Sequence, residues 1–164
     1  MSQYFGIIGA IMVTAAALLI GIAYSAYLSR RLSEYSAYLA FLELMRREVS
    51  CSLCTACELG ERSSDSLLEE LGFLNALREG ERLSSAFSAA SPASLMNSSD
   101  RELLERYFEC FGLSSLEAEI RSLDSCISSF SSREREERER LTQRKKLALA
   151  LLMLFAAAVT LLLI

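Results

Sequence analysis

Cys51, Cys54 and Cys57 stand at a strict spacing of three in the run CSLCTAC, in a 164-residue chain with five cysteines and no histidine. Thiolates spaced C-x-x-C-x-x-C can hold an iron–sulfur cluster, with a fourth sulfur from Cys110 or Cys126 completing the set. Cluster ligands usually sit in loops with the fourth cysteine close by, whereas this run follows the helical sequence ELMRREV. On a helix the spacing aligns the three thiols along one slowly drifting face. Small thiols at core positions account for that pattern with no metal, and a reducing cytosol would keep them from forming structural disulfides. Cys51, Cys54 and Cys57 are thus the candidate metal ligands, and the expectation is that no metal or other cofactor is bound. A zinc site would need four cysteines, or carboxylates, drawn from scattered positions.

The other routes to catalysis are as poorly supplied. Without histidine the commonest general base is missing, and no serine or cysteine has a visible activating partner. The seven glycines form neither G-x-G-x-x-G nor a Walker pattern. No catalytic residue is expected, and the chain reads as a non-enzyme. What remains is surface. Glu102, Glu105 and Glu109 share the side of one predicted helix opposite its apolar stripe, and Glu69 and Glu70 are expected to be exposed on another. These five are the candidate docking residues for a basic partner, because charge complementarity guides encounter and specificity.

Charge also organises the elements that would carry such a surface. Every Asp, Glu, Lys and Arg lies between Arg30 and Lys146. The charge-free segments 5–28 and 147–164 read as two transmembrane helices, against roughly 20 apolar residues needed to cross a bilayer. A cleaved signal peptide fits the first segment poorly, since no basic region precedes it. Arg30 and Arg31 follow the first span, and Arg144, Lys145 and Lys146 precede the second. The positive-inside rule then puts both termini outside and residues 29–146 in the cytoplasm. From 32 to 132 there are 17 acidic and 8 basic residues, a net of -9, whereas 133–146 carries +3. An acidic body on basic collars disfavours nucleic acid, whose phosphates need cations.

The body should be all-α. Leu28, Leu32, Tyr35, Leu39, Leu42 and Val49 repeat at helical spacing without an intervening Gly or Pro, so the first helix should continue into the cytosol. Leu116, Ile120, Leu123, Ile127 and Phe130 do the same ahead of the second span, with Ser114 and Glu117 as a capping box. The stretch that follows pairs Arg133 with Glu137, Glu134 with Arg138, Arg135 with Glu139 and Glu136 with Arg140 on a solvated face. Between the long helices, Ser64 or Asp65 caps a helix carrying Leu67, Leu68, Leu71 and Leu74 and ending at Gly80. Leu83, Ala86, Phe87 and Ala90 line another, closed by Pro92. Ser99 and Glu102 suggest a capping box for a third, whose buried stripe is Leu103, Leu104, Tyr107, Phe108 and Phe111. No stretch alternates at period two long enough for a strand. The expected fold is a cytosolic helical bundle, its long first and last helices antiparallel, flanked by two transmembrane helices.

The order of these elements resembles the stage III sporulation protein AB family of endospore-forming bacteria over essentially the whole chain. Leu42, Glu43, Glu48 and Val49 match its leucine-acid and acid-isoleucine positions. Phe111, Gly112, Ser114 and Ser115, with Glu119 and Ile120 after them, resemble its glycine-serine-acid turn and following helix. Glu119 stands where the family has glutamine, Ser115 where aspartate is common, and the last span lacks the family's glycines. The run CSLCTAC occupies the place of a segment containing tyrosine, glycine and proline.

The resemblance implies a component of the channel between mother cell and forespore, similar to the inner-membrane platform protein of type II secretion systems. Such a platform would sit in the lipid bilayer on the mother-cell side of the outer forespore membrane. It would dock a cytosolic ATPase of the stage III sporulation AA type, contact other channel components, and could form a homo-oligomer. A generic two-span membrane scaffold unrelated to sporulation is the alternative. A cysteine-ligated redox membrane protein is the third reading.

Overall fold

The computed structural model describes the backbone of residues 2–51 and 55–163, and side chains at 15–16, 19–50, 55–148, 150, 151 and 154. Among the described residues seven α-helices follow one another: α1 (Ser2–Cys51), α2 (Ala56–Arg62), α3 (Ser66–Glu70), α4 (Phe73–Arg78), α5 (Leu83–Ala90), α6 (Ser98–Cys110) and α7 (Leu116–Leu163), with a 3₁₀ turn at Ser91–Ala93. Among the described residues there is no strand. The all-α expectation holds.

The chain divides into two compact units, one of residues 1–30 and 137–164 and one of residues 31–136. In the first, the expected spans 5–28 and 147–164 fall largely on residues whose side chains lie outside the described ones. Among the described residues, no helix is long and apolar enough to cross a membrane. Leu19, Ile20, Ile22, Leu147, Leu151 and Leu154 are strongly exposed there, whereas Leu28 and Leu141 are buried. Lys145 Nζ donates to Ser29 Oγ at 3.3 Å.

The second unit holds the core. Tyr35, Tyr38, Phe41, Leu42 and Met45 on α1 are almost wholly buried, together with Phe73 on α4, Phe87 on α5 and Phe108 on α6. Phe73 is the hub: its ring lies 5.6 Å from Tyr38, 5.1 Å from Phe41 and 5.9 Å from Phe108. Edge-to-face and offset ring contacts of this kind stabilise beyond the area they bury. Tyr35 stacks on Phe130 of α7 at 5.4 Å, and Arg46 pairs with Asp124 further along. Rising numbers on α1 meet falling numbers on α7, so these stretches run antiparallel. The buried stripe of α1 is wider than the sequence reading, taking in Tyr38, Phe41 and Met45 as well as Tyr35, Leu42 and Val49.

Three local features depart from expectation. The helix expected across 66–77 is broken into α3 and α4 at Gly72, whose φ of 81° suits a residue without Cβ. The Asp65 cap is present, its carboxylate accepting from the Leu67 and Leu68 amides at 2.9 and 3.2 Å. At α6 the N-cap is Asn97 rather than Ser99, and no side chain caps it. The Ser99/Glu102 box is therefore not formed. Leu116, expected on the buried stripe of α7, is 50% exposed.

Candidate functional site

Of the three clustered cysteines, Cys51 and Cys54 have side chains outside the described residues. Cys57 lies on α2, half-buried, its Sγ donating to the Arg78 carbonyl at 3.6 Å. That contact belongs to the close packing of α2 on α4. A Cβ placed on Gly60 would come within 2.9 Å of Leu77 Cβ and 3.2 Å of the Arg78 amide nitrogen. Only a small residue fits there. Arg78 closes the same junction, donating from Nε to the Gly60 carbonyl and from its guanidinium to the Ser63 carbonyl, at 3.0 and 3.2 Å. Thr55, within the cysteine run, and Glu58 form a capping box that starts α2, so the run's last cysteine is already helical. Among the described residues, no group of three or more His, Cys, Asp or Glu side chains could hold a metal ion. Burial pushes the Cys126 thiol up to about 11, the environment of an inert thiol rather than a nucleophile.

The five candidate docking carboxylates are distributed unequally. Glu69 is half-buried and accepts from Arg78 at 2.6 Å, so it also serves the α2–α4 junction. Glu70 is exposed. Glu102 forms an exposed pair with Arg106 one turn on. Glu105 and Glu109 instead face an open groove of about 520 Å³ between α5 and α6, lined on its other side by Ser84, Ser85, Ser88 and Ala89. Glu105 and Glu109 are thus brought together, whereas Glu69 and Glu70 belong to another helix and another junction.

Three further carboxylates, absent from the sequence-based set, are buried in this unit: Glu34, Asp100 and Glu119, the last two at opposite ends of α6. Asp100 is 4% exposed. It accepts from the Tyr35 hydroxyl on α1 and from the Arg133 guanidinium on α7. Burial alone would raise its pKa, but the bonds from Tyr35 and Arg133 outweigh that and hold it below the ordinary carboxylate value. The Tyr35 hydroxyl is pushed up to about 12, by burial first and then by Asp100. Arg133, read from sequence as part of a solvated charge ladder, is turned inward to this carboxylate. Beside it, Glu34 of α1 accepts from the Leu95 amide at 2.8 Å and so holds the loop before α6.

At the other end of α6, Glu119 is 6% exposed. Its two oxygens accept from the Tyr107 hydroxyl at 3.4 Å and the Gly112 amide at 3.3 Å. Burial, and then the Glu119 charge, raise the pKa of Tyr107. The turn so closed passes through Gly112 at a φ of 81° and displays Leu113, 80% exposed, with Leu116 just beyond it. The signal for this turn was in the sequence, where Leu113 follows a helix-ending glycine and belongs to neither apolar stripe. Among the described residues the arrangement offers no nucleophile–base pair; it offers acidic and partly apolar surface.

A family model described as Stage III sporulation protein AB matches residues 6–164. No curated protein and no solved structure matches the chain.

Proposed function

The chain belongs to the stage III sporulation protein AB family, and from that premise we propose that it is a non-catalytic membrane platform of the channel between mother cell and forespore. In this reading residues 5–28 and 147–164 anchor it in the outer forespore membrane, and residues 29–146 form an acidic helical body on the mother-cell side. That body docks a cytosolic ATPase of the stage III sporulation AA type and bears on other channel components. The observation that carries the proposal is the family match along residues 6–164, on a chain whose charges are confined to residues 30–146.

Physical chemistry supports the membrane anchoring and the acidic body. Charge-free ends of this length suit a bilayer of ~30 Å, and the basic residues bordering them favour a cytoplasmic body. A net of -9 across residues 32–132 favours a basic protein partner over an anionic one. The side chains buried in the body serve its packing and the anchoring of its turns, as expected of a rigid platform.

A fluorescent fusion followed through endospore formation tests the proposal. Recruitment to the engulfing membrane is the expected result. Uniform membrane labelling, with expression in growing cells, would overturn it in favour of the generic scaffold.

A further inference from the structure

Unit 31–136 keeps its large apolar side chains covered, with two strong exceptions among the described residues. Leu113 is 80% and Leu116 50% exposed; the other large hydrophobics exposed to this degree lie at 19–27 and 147–154. Single exposed leucines are ordinary on a protein surface. Leu113 lies in the short turn between α6 and α7 and Leu116 opens α7 just beyond it, and that turn is held. Gly112 gives it a left-handed residue at φ 81°, the Leu113 amide donates to the Cys110 carbonyl at 3.3 Å, and the buried Glu119 carboxylate takes the Gly112 amide. Half-buried Phe111 adjoins them. A presented, preorganised apolar tip lowers the ordering cost of association.

The charge around the tip selects what can cover it. From Tyr107 to Ile120 the chain carries Glu109, Glu117 and Glu119; the flanking cations are Arg106, paired with Glu102, and Arg121, which donates to the Glu117 carbonyl, so the exposed charge from Glu102 to Arg121 remains net acidic. Glu109 and Glu117 are exposed, and Glu105 continues the acidic edge along the α5–α6 groove. An anionic lipid surface would be repelled, and a second copy docking tip to tip would oppose like charges. We propose that the Phe111–Leu116 turn is the docking tip of the body, and that it inserts into an apolar socket ringed by lysine or arginine on the partner protein. This rests on the platform reading above and adds to it the face that docks.

The test uses the full-length chain in nanodiscs and the purified stage III sporulation AA type ATPase as probe, with affinity measured at low and high salt. The double substitution Leu113→Ser and Leu116→Ser removes exposed side chains only, and should weaken binding about tenfold or more. Glu109→Gln with Glu117→Gln should weaken it less and flatten its salt dependence. Melting curves of both variants should match the wild type. Unchanged affinity for both variants, with binding lost instead on replacing Glu70 and Glu102, would overturn the assignment of the tip while leaving the platform reading standing. Absence of binding by the wild-type chain would remove the platform reading and the tip with it. A wild-type oligomer that the leucine variant dissociates would show that the tip meets a second copy, and would also overturn the proposal.

Discussion

At the N-terminal end of α6 the buried carboxylate of Asp100 accepts from Tyr35 and Arg133; at the C-terminal end the buried carboxylate of Glu119 accepts from Tyr107 and the Gly112 amide. Each uses a tyrosine hydroxyl on a buried acid, yet the consequences differ. Asp100 joins three elements and draws the loop before α6 onto α1 and α7. Glu119 closes a local turn and leaves two leucines facing solvent. A buried polar group is costly unless its bonds are made, so both positions are fixed structural investments. The first seals the body, and the second presents a surface.

The sealing end should be the more sensitive. Asp100→Ala, measured by denaturation of the full chain in detergent, should cost about 2–3 kcal/mol, because it removes charge-assisted bonds and leaves the Tyr35 hydroxyl without its acceptor. Its charge should also show in acid. Asp100 is held below its unfolded value of about 3.9. Its contribution is therefore present above that pH and lost as pH falls through the lower native value. Asp100→Asn should flatten that part of the acid-unfolding curve; an unchanged curve would show that the ion pair adds nothing to folding.

Gly60→Ala probes packing rather than charge, and should cost about 1–3 kcal/mol because Leu77 and the backbone at Arg78 have to give way. At the presenting end, Glu119→Ala should cost about 1–2 kcal/mol and raise amide exchange at Gly112, while Glu119→Gln keeps an acceptor for that amide and should lose less. The smallest pair of effects separates two tyrosines one turn apart on α1. Tyr35→Phe should cost about 1 kcal/mol, whereas Tyr38→Phe should be neutral or slightly stabilising, since the buried Tyr38 hydroxyl has no hydrogen-bond partner among the described residues. Equal melting temperatures for these two variants would remove the basis for treating the Asp100 cluster as a seal.

What could be read from the sequence was whatever depends on neighbours a few residues away. The apolar positions of α5, Leu83, Ala86, Phe87 and Ala90, are all buried, and Asp65 caps α3 as its type and place suggest. The break at Gly72 was not legible, because the leucines either side keep a helical spacing through it. The Thr55/Glu58 box was legible as T-x-x-E. Asp100 was beyond reach for a different reason: its partners stand 65 and 33 residues away, and local pattern gives Ser98-Ser99-Asp100 the look of an exposed cap. The candidate docking carboxylates show the same limit. Composition marks Glu69 and Glu105 alike as surface acids, but Arg78 meets Glu69 because the chain turns at Gly72 between α3 and α4.

The most direct measurement for the platform account is the partition of the stage III sporulation AA type ATPase between membrane and soluble fractions of sporulating cells, with and without this chain. The account predicts membrane association that depends on the chain and is restored when it is supplied again. An ATPase distributed identically in both cells would contradict it.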